Sequence, residues 1–134
     1  MEKFTLDKDI QVFCVDAETF PDDILKAHQT LHALLPFSSE RRYFGLSRME
    51  KGEIRYKAAA EELIVGELAQ HGLQQMLIPS GDYQSILIFD YMKDTSLIGT
   101  AFNQLIQLPE IDPEAYCVEW YISDSQVRCM VRVI

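Results

Sequence analysis

Residues 10 to 57 slide onto residues 83 to 130 without a gap, and along that frame strand signals meet strand signals and helix signals meet helix signals. The offset of 73 pairs Gln11 with Gln84, Leu35-Pro36 with Leu108-Pro109, Tyr43 with Tyr116 and Arg55 with Arg128. An internal repeat of this kind constrains the fold more than any single motif, because both copies must adopt the same supersecondary unit. With 134 residues in all, neither copy can bury a core alone, so the two must share one.

Each copy reads as strand, helix, strand, strand. The opening strands, Ile10 to Val15 and Tyr83 to Phe89, are rich in β-branched and aromatic residues. Thr19-Phe20-Pro21-Asp22-Asp23 and Asp94-Thr95-Ser96 supply helix starts. Apolar stripes follow through Ile24, Ala27, Leu31, Leu34 and Leu35, and through Ile98, Ala101, Phe102, Leu105 and Leu108, with Pro36 and Pro109 as stops. The closing strands are Tyr43 to Met49 with Glu53 to Ala58, and Tyr116 to Ile122 with Gln126 to Val133. Repeat one thus covers about residues 8–60, a connector 61–72 ends at the cap candidate Gly72, and repeat two covers about 73–134. The expected fold is α+β: a tandem βαββ repeat in one antiparallel sheet, two helices on one face and an open groove on the other.

Twelve Lys and Arg against twenty-one Asp and Glu give a net charge of −9, which repels a phosphate backbone and argues against direct nucleic-acid binding. No apolar run approaches the length of a bilayer span, and Glu2, Asp7 and Asp9 are unlike a signal peptide. Cys14, Cys117 and Cys129 lack metal or disulfide spacing and read as buried thiols of a reducing cytoplasm.

Alternation along the strands assigns faces. Tyr116, Val118, Trp120 and Ile122 suit the helix-covered side, as do Val127, Cys129, Val131 and Val133. The open face then carries Cys117, Glu119 and Tyr121, with Gln126, Arg128, Met130 and Arg132, and by the offset Phe44, Leu46, Arg48, Arg55 and Lys57. Glu119 stands out as a carboxylate in the middle of a strand. Either it is solvated and paired with Arg128, or it is a partly desolvated anion at the bottom of a groove, suited to a cationic ligand or to accepting a proton.

The stretch Leu77-Ile78-Pro79-Ser80-Gly81-Asp82-Tyr83, followed by a helix and then Val118-Glu119-Trp120-Tyr121, resembles the gyrase-inhibitor-like (GyrI-like) effector-binding domain over roughly residues 8 to 134. That family includes the ligand-sensing domains of bacterial multidrug-responsive transcription activators. The resemblance implies a groove between the repeats that takes lipophilic, often cationic, molecules. It puts the turn into the second repeat at Pro79, Gly81 and Tyr83, and the ligand-facing carboxylate and its aromatic neighbour at Glu119 and Tyr121. The candidate ligand-binding set is Glu119, Tyr121, Phe44, Leu46, Tyr83 and Arg128. With too few residues ahead of the repeat for a DNA-binding helical region, the expectation is a free-standing binder that sequesters its molecule or signals to a protein partner. A small hydrolase of reactive electrophiles using Glu119, or an inhibitor of a DNA-handling enzyme, are the alternatives.

No cofactor is expected. His28 and His32 have the i, i+4 spacing of a metal pair but no third ligand, and read as helix packing or a groove-edge contact rather than as a metal or haem site. Arg41-Arg42 reads as a solvated turn.

Overall fold

The computed structural model describes residues 1–134. In chain order the elements are β1 (Glu2–Leu6), β2 (Ile10–Asp16), α1 (Ile24–His32), β3 (Tyr43–Glu50), β4 (Glu53–Ala60), β5 (Gln74–Ile78), β6 (Gly81–Phe89), α2 (Ser96–Leu105), β7 (Cys117–Tyr121) and β8 (Gln126–Arg132). All eight strands join one sheet in the order β1-β6-β8-β7-β3-β4-β2-β5, with every neighbouring pair antiparallel. Both helices pack on one face, α1 against β2 and β4, α2 against β6 and β8. This is the α+β architecture expected.

Local chemistry explains the elements. Lys51 and Gly52 both adopt left-handed backbone, at φ 52 and 80, the twist a two-residue hairpin turn demands. The Asp23 carboxylate accepts from both the amide and hydroxyl of Thr19, holding 19–23 as a turn, so α1 starts at Ile24. In α2 the Asp94 carboxylate accepts the Ser96 amide at 3.1 Å. Gly72 ends a short 3-10 turn, Ala69–His71, at φ 73. Glu62 organises the rest of the connector by accepting the amides of Gly66, Leu68 and Ala69.

The strand order reads the same from either end once β1 is matched with β5, β2 with β6, β3 with β7 and β4 with β8. Two features differ from the sequence reading. β1 precedes the region assigned to the first repeat, and it pairs with β6 just as β5 pairs with β2. The uniform 73-residue frame also fails at the level of side chains. Ile24, Ala27 and Leu31 correspond to Ile98, Ala101 and Leu105, a frame of 74. Tyr43 therefore lies in the core under α1, whereas Tyr116 packs on the opposite side of the sheet.

Three apolar clusters divide the interior. Phe13, Tyr43, Tyr56, Ala58 and Ala60 lie beneath α1, and Ile88, Val127, Cys129 and Val131 beneath α2. The other face is not left open: the sheet buries Val12, Phe44, Leu46, Ile78, Tyr83, Val118 and Met130 there, with Phe4, Met76, Tyr116 and Trp120 packed against them. A small recess of about 220 Å³, bordered by Leu46, Tyr83, Val118 and Arg132, lies on that side.

Arg41 and Arg42 are not a solvated turn. Arg41 pairs with Glu67 and Arg42 with Glu61, tying the start of β3 to the connector.

Candidate functional site

The principal concavity, about 1470 Å³, lies between the two helices on the helix-bearing face. Its floor is the central β3–β7 pair, contributing Tyr43, Ser47, Cys117, Glu119 and Tyr121. Its walls come from α1 and the residues flanking it, such as Phe20 and Phe37, and from α2 and its approach, such as Met92 and Phe102. Phe20, Leu25, Phe37, Met92 and Ile106 leave much of their apolar surface exposed along this cleft, which suits an apolar ligand.

Glu119 sits at the floor, only 8% exposed. Its Oε1 accepts hydrogen bonds from the Tyr56 hydroxyl at 2.9 Å and from the Tyr121 hydroxyl. The Tyr56 oxygen also meets His28 Nε2 at 2.8 Å. With Tyr56 donating to Glu119, His28 must be the donor to Tyr56, the Nε2–H tautomer of neutral imidazole. Burial, with His32 adding a smaller push, brings the His28 pKa down to about 4, in keeping with that neutral form. The result is a chain from α1 to the floor: His28 to Tyr56 to Glu119. No protein donor reaches Glu119 Oε2, so that oxygen is free for a ligand.

Burial pushes the Glu119 pKa up, while the two tyrosine hydroxyls pull it partly back by favouring the anion. Both tyrosines are pushed upward by burial and by the neighbouring carboxylate, so they act as donors and not as phenolates. A carboxyl whose folded pKa is raised adds most to stability below its ordinary range, near pH 4, and that contribution is lost as pH rises through the folded value. Relative to Glu119→Gln, the wild type should therefore lose melting temperature as pH rises above about 4. Parallel thermal melts across that range check this, and a constant difference would refute it.

Gly45 makes the arrangement sterically feasible. It is the direct register partner of Glu119. A Cβ built there would fall 2.1 Å from the Tyr56 hydroxyl oxygen and 2.6 Å from Glu119 Oε1.

Of the residues proposed from sequence, Glu119 and Tyr121 line the cleft. Phe44, Leu46 and Tyr83 lie on the opposite face, no more than 1% exposed. Arg128 is there too, pairing with Glu2 at 2.7 Å and resting over the Phe4 ring. It stands opposite Trp120, not Glu119, so it does not neutralise the carboxylate. Trp120, expected under the helices, packs instead against Phe4 and Phe44. The face assignment fails for β7 alone, because the register Glu119 with Cys129 puts the odd-numbered residues beneath α2 with Val127 and Val131. The sequence reading also passed over Tyr56 and Gly45, whereas His28 and His32, read as helix packing or a groove-edge contact, both line the cleft. The hairpin register was the available signal, since a residue directly across from the apolar Cys129 shares its face.

No family model and no curated protein matches the chain. Among solved structures, it is similar to an integron cassette protein from the mobile metagenome of Vibrio cholerae, with TM-score 0.70, 14% identity, and coverage of 99% of this chain and 95% of that one. A Listeria innocua protein described as a hydrolase gives TM-score 0.64 at 12% identity, covering 99% and 90%. An uncharacterized conserved protein from the same organism gives 0.59 at 11%, covering 99% and 91%. These likenesses establish a shared small α+β fold. No helix of the chain is long and apolar enough to cross a membrane.

Proposed function

We propose that the chain is a small-molecule binder of the GyrI-like effector-binding kind, and that its cleft takes a lipophilic cation with Glu119 as the anionic anchor. One observation carries this reading: a nearly buried carboxylate, oriented by two tyrosine hydroxyls, at the floor of a large apolar cleft. A charge in so poorly solvated a place gains far more from a partner than a surface ion pair does. Glu119→Gln keeps shape and an acceptor oxygen but removes the charge. Calorimetric titration should show affinity for a cationic dye falling more than tenfold, about 1.4 kcal/mol, with a neutral isostere little affected. Equal losses for both dyes, or none, would overturn the assignment.

A second reading is favoured by the His28–Tyr56–Glu119 chain and by the hydrolase description of one structural neighbour. In it Glu119 Oε2 accepts a proton from water attacking a bound electrophile. Turnover of a reactive electrophile that disappears in Glu119→Gln would select this reading.

A further inference from the structure

Arg41 is the sole lysine or arginine among the residues that wall the cleft. Its side chain is 6% exposed. A guanidinium carries five N–H donors in a rigid plane. Here Nη1 serves the Glu61 carbonyl oxygen at 3.0 Å and the Glu67 carboxylate. Nε is buried without a partner, Nη1 carries the bonds to Glu61 and Glu67, and the Tyr43 hydroxyl lies beside the guanidinium. Nε and Nη2 together form one of the two edges by which arginine holds a carboxylate through paired hydrogen bonds. Buried donors are almost always matched, so the unmatched Nε of a residue walling a cleft points to an acceptor brought by a ligand.

The surroundings suit such a group. Ser38 and Ser39 line the cleft alongside Arg41. Tyr43 stacks between His32 at 4.5 Å and Phe37 at 5.5 Å, giving a flat apolar wall. Glu67 holds the Nη1 side, which keeps the charge paired when the cleft is empty. Arg41 precedes Gly45, the register partner of Glu119, by four residues, so at most roughly 14 Å of chain plus a cross-strand step of about 5 Å separates the backbones of the two anchors.

We propose that Arg41 is a second anchor, taking a ligand carboxylate on its Nε–Nη2 edge, and that the preferred ligand is a lipophilic zwitterion with its cationic end at Glu119. This rests on the binding reading above and specifies the chemistry of the same cleft.

Two dyes with the same xanthene cation, one bearing a ring carboxylate and one lacking it, test the idea by fluorescence polarisation. Wild type should bind the carboxylate dye at least tenfold more tightly. The double variant Arg41→Gln/Glu67→Gln, which leaves no stranded charge, should bind the two alike. Glu119→Gln should weaken both and leave their ratio unchanged. Equal affinities in the wild type would overturn the second anchor while leaving the binding reading intact, and so would a preference that survives the double variant. Should that variant fail to fold, the wild-type ratio alone decides. Failure of both dyes to bind the wild type would overturn the binding reading and the anchor with it.

Discussion

Replacing Gly45 by alanine should destabilise the protein by about 3 kcal/mol or more, an unusually large loss for adding one methyl group. The added carbon would fall 2.1 Å from the Tyr56 hydroxyl oxygen and 2.8 Å from the ring carbon that bears it, so the ring must move. Moving it removes a donor from Glu119 and an acceptor from His28 at once. A buried carboxylate stripped of one of its two donors is costly, which puts the loss above the ordinary range for overpacking. Tyr56→Phe removes the atom in closest conflict. The double variant Gly45→Ala/Tyr56→Phe should therefore be more stable than the sum of the single losses implies, a coupling visible in a double-mutant cycle by denaturant titration. Gly45→Ala within about 0.5 kcal/mol of wild type would show that the floor is not packed as described.

Phe44→Ala should cost about 3–5 kcal/mol of stability while leaving cleft binding unchanged in the folded protein. Phe44 has no exposed surface, stands in register with Trp120 and packs its ring 6.2 Å from the indole. Its side chain faces away from the cleft, into the core between the central strands and β1, β2, β5 and β6. A direct ligand contact would give the reverse pattern, weaker dye binding with little change in stability. Denaturant unfolding and dye titration on the same preparation separate the two.

Much of the fold was legible because its signals are local. Branched and aromatic runs marked the strands, the Lys51-Gly52 and Gly72 turns announced left-handed backbone, and the helical stripes fell on Ala27 and Leu31 and on Ala101 and Leu105. What was lost depended on partners far along the chain. β7 carries core-packing side chains on both faces, Cys117 and Tyr121 on one and Val118 and Trp120 on the other, so alternation alone could not say which side carries the helices. Glu119 was visible as an unexpected charge with Tyr121 two residues along the same strand face, but its second donor, Tyr56, reaches it only after β3 and β7 pair at the centre of the sheet. Arg41 looked like half of a charged turn because Glu67, its partner, lies 26 residues later.

The frame of 74 that relates the helices also carries Gly45 onto Glu119, so the position facing the carboxylate across the central strand pair is its own counterpart. Two acidic residues set directly opposite each other would repel, and two glycines would leave the floor featureless. By filling one of the two sites with a charge and the other with nothing, the chain gives a nearly symmetric cradle a direction. A guest that is itself lopsided then has one way to lie, and end-for-end reversal is discriminated by the floor before any wall contact is made.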